Sequence, residues 1–179
     1  MIISLIGFMA AGKTKVGEHL ASVLKCPFID LDALVEEKED MSISEIFEKK
    51  GENYFREKEL EYFEDLMEEY IMKDSAAIEE LCAMRESNTA DIPKNCTLLI
   101  SLGGGSVMND VIADLIRRFT YCIYLKADVK SILARLSADG EVSKRPLLSG
   151  SDDLYSTITR LYAAREPIYS DLADKILEV

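Results

Sequence analysis

The sequence has no tryptophan, one histidine and only four cysteines in 179 residues. The cysteines, Cys26, Cys82, Cys96 and Cys122, form no C-x-x-C pair, which argues against a zinc site or a dithiol redox motif. They are expected as buried or half-buried thiols. The single histidine, His19, falls at helical spacing from Val16 and Val23 and is expected to pack rather than to act as a base. No apolar run approaches the roughly 18 residues that span a bilayer. The opening MIISLIGFMAAGKTK lacks the basic start of a secretory signal, so a cytoplasmic protein without membrane contact is expected. Positive charge is scarce: 21 Lys+Arg against 33 Asp+Glu leave a net charge of −12. Such a chain is poorly suited to neutralising the phosphates of duplex DNA, and no nucleic-acid partner is expected. A small anion held by a few placed cations remains possible. The chain shows neither an internal repeat nor a low-complexity tract.

What is present is an ordinary mixture, 48% hydrophobic and 30% charged. The length suits one domain with a core of its own, needing no disulfide or metal. Short apolar runs alternate with helical periods. Strands are expected at residues 2–6, 28–29, 97–101, 121–125 and, weakly, 175–177. Helices are expected at 13–24, 43–49 and 52–72. Within the last, the run Glu57–Glu69 reads as a solvated face over a buried stripe of Leu60, Phe63, Leu66 and Met67. This alternation predicts a three-layer α/β/α fold around a parallel sheet of about five strands. Two stretches interrupt it. Residues 73–96 combine a short helical piece with a polar loop, and residues 138–153 are rich in glycine and serine around a basic centre. Long loops in a small domain are commonly functional or mobile.

Gly7-Phe8-Met9-Ala10-Ala11-Gly12-Lys13-Thr14 fits the phosphate-loop pattern G-x-x-x-x-G-K-[ST], directly after a strand and opening a helix. The glycines let successive N–H groups point inward at phosphate oxygens, and the helix N-terminus adds its dipole. Lys13 would reach the β- and γ-phosphates, and the Thr14 hydroxyl would ligate Mg²⁺. A chance match in a chain of this size arises roughly once in a hundred sequences or less. The motif alone does not separate kinases from GTPases or ATP-driven machines. One short domain without switch machinery favours a small-molecule kinase.

The second strand ends in Phe28-Ile29-Asp30-Leu31-Asp32. Two carboxylates two residues apart in an extended segment share a face, at the strand end where parallel sheets bind ligands. One metal-linked and one acceptor-linked role would suit them. The plainer alternative is Asp32 as the N-cap of the helix that follows.

Six segments together resemble the shikimate kinases, within the nucleoside-monophosphate-kinase-like P-loop fold. They are Gly7 to Gly17; Phe28-Ile29-Asp30-Leu31-Asp32; Ile43-Ser44-Glu45-Ile46-Phe47 followed by Gly51-Glu52-Asn53-Tyr54-Phe55-Arg56 and Glu59; Ser101-Leu102-Gly103-Gly104-Gly105; Lys144-Arg145-Pro146-Leu147-Leu148; and Arg165-Glu166-Pro167-Ile168-Tyr169 with Ala173-Asp174. The resemblance implies ATP-dependent phosphorylation of the shikimate 3-hydroxyl, with Mg²⁺, by a monomer. It implies that Gly7, Ala10, Ala11, Gly12, Lys13, Thr14 and Lys15 bind nucleotide, and that Asp30 holds Mg²⁺ through water. It makes Asp32 the candidate base. Arg56 and Arg165 would clamp the carboxylate, with Glu59 orienting Arg56 and Gly103, Gly104 and Gly105 offering backbone N–H groups. Arg145, in a lid over 138–153 flanked by Gly140 and Gly150, would close on the phosphates. Residues 31–72 would form the substrate-binding helices of a single domain, 1–179. The residue types agree, because a guanidinium matches a carboxylate in plane and glycines let backbone approach a ligand.

The chain also departs from the family. Ala10 stands where glycine is common, and is tolerable if its φ stays negative. Lys15 replaces a hydroxyl with a cation. Residues 73–96 form a longer segment than usual, expected to extend the surface. Relatives usually continue past the fifth strand into an adenine-contacting loop and a helix, whereas this sequence ends at Val179; apolar surface is expected to be exposed on that strand. Two other readings stay open at this stage. One is a kinase for another small carboxylate, polyol or nucleotide. The other is a non-catalytic module that keeps the fold.

Overall fold

The apolar run near the N-terminus becomes the centre of the sheet. β1 (Ile2–Ile6) is buried along its whole length. The computed structural model describes residues 1–73, 76–87, 91–138 and 153–179. β1 leads through the phosphate loop into α1 (Lys13–Leu24), and the chain returns as β2 (Phe28–Asp30). Three helices follow, α2 (Leu31–Glu39), α3 (Ile43–Lys49) and α4 (Glu52–Lys73). Then come α5 (Ala76–Glu86), β3 (Leu98–Ser101), α6 (Asp110–Phe119), β4 (Thr120–Lys126), α7 (Val129–Ala138), α8 (Leu154–Leu172) and β5 (Lys175–Glu178).

The five strands lie in the order β2-β3-β1-β4-β5, and every pairing is parallel. All carboxyl ends therefore lie along one edge of the sheet, where α/β folds bind ligands. β3 and β4 are apolar and buried, as expected of strands covered on both faces. β5 lies where a strand is expected from the sequence, at the end of the chain. It is an edge strand whose residues alternate between half-buried and exposed, and Ile176 is 43% exposed.

Helix starts follow local chemistry. Ser42 and Glu45 form a reciprocal capping box at α3, and Asn109 caps α6 through the N–H groups of Val111 and Ile112. α2, α3 and α4 carry a small core of their own, Val35, Ile46 and Phe55. Glu39 pins this unit from α2: the hydroxyls of Tyr54 and Tyr62 each donate to it at 2.7 Å. These hydrogen bonds lead the causes that hold the Glu39 carboxyl down to about 2. On α4, Phe63, Leu66 and Met67 are buried as expected, while Leu60 is half-buried. The charge run is not uniformly solvated, because Glu59 is fully buried.

Residues 73–96 do more than extend the surface. Leu81 of α5 joins the main core. Arg85 grips Asp174 with two nitrogens, at 2.6 and 2.8 Å, and also donates to the carbonyls of Arg117 and Thr120. The segment thereby straps α6, β4 and the start of β5 together. Cys122 is buried, Cys26 and Cys96 are half-buried with sulfurs 2.8 Å apart, and Cys82 is exposed. No described helix is long and apolar enough to cross a membrane.

Candidate active site

The phosphate loop is organised around Lys13. Its ammonium donates to the carbonyls of Gly7 and Phe8 at 2.9 and 3.0 Å, inside the loop that precedes α1. Ala10 does not keep a negative φ: it adopts +57°, in the left-handed region. The turn of the loop demands this conformation, and a Cβ there costs about 1–2 kcal/mol. Arg135 on α7 supports the strained segment, donating to the carbonyls of Ala10 and Ala11 at 3.2 and 3.1 Å. No local signal marked Arg135, which lies about 125 residues downstream of the loop it braces.

Asp30 closes β2 and starts α2. One carboxylate oxygen accepts from the N–H groups of Asp32 and Ala33, and the other accepts the Thr14 hydroxyl at 2.7 Å. The cap of α2 is therefore Asp30, not Asp32. The two carboxylates do not share an extended segment either, because helical hydrogen bonding begins at Leu31. Asp32 instead sits in the first helical turn, half-buried and facing the glycine turn. Burial, reinforced by Glu59 and Asp30, pushes its carboxyl up to about 6 against the pull of Lys13 and Arg56.

Gly103, Gly104 and Gly105 follow β3 and are the hub of the site. A Cβ on Gly103 would lie 2.5 Å from the Asp32 carboxylate, one on Gly104 2.9 Å from the Met9 amide nitrogen, and one on Gly105 2.6 Å from the Arg56 guanidinium. Three absent side chains thus let Asp32, the phosphate loop and an arginine converge. Arg56 is held by Glu59 at 2.7 Å and by Glu52 at 3.3 Å. Ser106 donates to Glu59 at 2.5 Å from the residue after the triplet. Arg165, on α8, is 8% exposed and donates to the Gly104 carbonyl at 3.0 Å. The Tyr169 hydroxyl donates to the same oxygen. Ser106 and Tyr169 lie beside or inside quoted motifs, yet only the fold reveals what they touch.

One cleft is lined by Ala10, Gly12, Lys13, Thr14, Lys15, Asp30, Asp32 and Gly104, among others. Gly7 and Ala11 belong to the same loop without lining the cleft, and Arg56, Glu59, Gly103, Gly105 and Arg165 lie at the glycine turn beside it rather than in its lining. Lys15 is exposed at the rim. Arg145 and all of the expected lid except its end residues, Ala138 and Asp153, lie outside the described residues. Chemically, the cleft pairs an anion cradle with a carboxyl that takes protons near neutrality.

Comparison with known proteins gives a consistent result. The family model described as shikimate kinase matches residues 9–75 and 73–179. Shikimate kinase from Dictyoglomus turgidum is 34% identical over 178 residues, covering 99% of this chain and 87% of that protein. The one from Chloroherpeton thalassium is 34% identical over 176 residues, covering 94% of this chain and 79% of that protein. Among solved structures, shikimate kinase from Acinetobacter baumannii in complex with shikimate is similar over 99% of this chain and 83% of that one, with TM-score 0.73 and 28% identity.

Proposed function

The chain belongs to the shikimate kinase family, and from that premise we propose how its residues divide the work. It is an ATP-dependent phosphotransferase that phosphorylates shikimate, and the acceptor oxygen is the 3-hydroxyl. The phosphate loop from Gly7 to Lys15 binds the nucleotide phosphates. Lys13 leaves the loop carbonyls for the β- and γ-phosphates, and backbone N–H groups take the rest. Asp32 accepts the proton of the 3-hydroxyl as its oxygen bonds to the γ-phosphorus and the bond to the β-phosphate oxygen breaks, releasing ADP. A carboxyl pushed up to about 6 is a stronger base than an ordinary aspartate and is still mostly ionised at neutral pH. Arg56 and Arg165 bind the carboxylate of shikimate, and Glu59 fixes Arg56. The glycine turn lets the acceptor approach backbone N–H groups. Arg145 closes from the segment 138–153, and residues 31–72 form the acceptor-binding helices of a single domain over 1–179.

The Thr14 hydroxyl and the Asp30 carboxylate, 2.7 Å apart, are hard oxygen donors that suit Mg²⁺. That ion keeps several waters and takes few protein ligands beside nucleotide phosphates. Mg²⁺ would neutralise phosphate charge during the transfer. The enzyme is read as a cytoplasmic monomer with ATP and shikimate as its small-molecule partners.

The observation that carries this reading is the convergence of Asp32, the phosphate loop and Arg56 on one glycine turn. Its test is ADP release with ATP and Mg²⁺, with and without shikimate. Shikimate-dependent release that Arg56→Ala and Arg165→Ala weaken through the KM for shikimate supports it. Equal release without acceptor, or a KM indifferent to both arginines, overturns it.

A further inference from the structure

The two arginines near the acceptor are held differently. Arg56 is paired with two carboxylates, Glu59 and Glu52. Among the described residues no carboxylate pairs with Arg165; its guanidinium donates to the carbonyl of Gly104 and lies against the Tyr169 hydroxyl. Its guanidinium also lies 5.8 Å from the centre of the Phe8 ring. A nearly buried cation without a counter-anion is poised for an anionic ligand.

The Gly104 carbonyl has a second donor, the Tyr169 hydroxyl, one helical turn further along α8. Tyr169 is fully buried, and its ring packs on Tyr124 at 5.2 Å between centroids. Burial pushes its phenol up to about 12, so the hydroxyl keeps its proton and remains a donor at working pH. We propose that Tyr169 is a positioning residue for acceptor binding: it keeps the Gly104 carbonyl satisfied, so that Arg165 can leave that oxygen and close on the carboxylate of shikimate. This rests on the assignment of Arg165 to that carboxylate.

A two-pronged grip on a carboxylate draws one N–H from each terminal nitrogen of the guanidinium. One N–H of Nη1 now points at Gly104, and swinging the guanidinium plane onto a carboxylate draws that N–H off the oxygen. If Arg165 were the only donor there, moving it would leave a half-buried carbonyl without a protein partner, and that cost would oppose substrate binding. With Tyr169 in place, the oxygen keeps a partner throughout. The hydroxyl thereby lowers the barrier to recruiting the arginine without touching the substrate itself.

Tyr169→Phe removes the oxygen and keeps the ring in its packing. Steady-state kinetics on the full chain, calorimetry with shikimate and thermal melts make the test. The KM and Kd for shikimate are expected to rise about tenfold, the worth of one hydrogen bond at a half-buried acceptor. The kcat and the KM for ATP are expected to stay within about twofold, which general structural damage would not spare. In an Arg165→Ala background the same change is expected to have no further effect on shikimate affinity. Unchanged shikimate affinity in Tyr169→Phe overturns the proposal, and so does a loss that persists in the Arg165→Ala background. If Arg165→Ala itself leaves shikimate affinity unchanged, the carboxylate assignment fails instead. The two failures are thus distinguishable.

Discussion

The phosphate side and the acceptor side of the cleft are built in opposite ways. The phosphate loop is one contiguous stretch, with Lys13 donating to carbonyls five and six residues away. The acceptor side is assembled from Asp32, from Arg56 and Glu59 on α4, from Gly103–Gly105 after β3, and from Arg165 and Tyr169 on α8. A contiguous loop depends on its own backbone and on one outside brace, Arg135. An assembled pocket depends on the packing of every element that contributes to it. Substitutions on the two sides should therefore differ in kind. Truncating an ion-paired acceptor-side residue should disturb stability and acceptor affinity together, while phosphate-loop changes can even stabilise the fold; Asp32, where the two sides meet, is a case of its own.

The largest effect is expected where the two sides meet. Asp32→Asn should lower kcat by about 10²–10⁴-fold while shikimate and ADP still bind by calorimetry. The same variant should melt higher at pH 8. The folded chain holds the Asp32 proton up to about pH 6, whereas an unperturbed aspartate loses it near 3.8. The stability from this group is therefore complete below about pH 4 and is lost as pH rises through 6, by an amount of order 2 kcal/mol. Removing the charge should return it. Wild-type turnover in Asp32→Asn would break the comparison at its centre, because the meeting point would then carry no chemistry.

A smaller effect is expected at Arg56. Arg56→Ala leaves Glu59 buried without its guanidinium, which should cost about 3 kcal/mol in denaturant unfolding as well as raising the KM for shikimate. A shikimate KM that rises with stability unchanged would mean that the acceptor side is as self-contained as the phosphate loop. The smallest effect is expected at Ala10, where relief of the +57° backbone angle by Ala10→Gly should raise stability by about 1 kcal/mol, read as a few degrees in the melting temperature. Destabilisation by this change would place the strain elsewhere.

The same division governs how much could be read without coordinates. The phosphate loop was legible because its chemistry and spacing are local. The strands were legible because continuous apolar runs such as Ile2–Ile6 have one stable place in a parallel sheet. Asp30 and Asp32 were singled out, but which of them caps α2 was not legible, since it turns on where helical hydrogen bonding begins. The positive φ of Ala10 was missed because a loop closed on phosphates sets its backbone against the preference of the residue. Arg85 gave no sign that it would strap a distant strand, because its partner Asp174 lies 89 positions away. Tyr169 and Ser106 sat within reach of the motifs, but a hydroxyl declares its partner only after long-range packing.

The central claim, that the environment of Asp32 tunes it as the base of the transfer, is tested most directly by the pH dependence of kcat/KM for shikimate. This parameter reports the groups of the free enzyme, the state described here. The account expects kcat/KM to climb about tenfold per pH unit at acid pH, bend near pH 6 and level off above it. A profile already level at pH 5, with its bend near an ordinary aspartate, would contradict it.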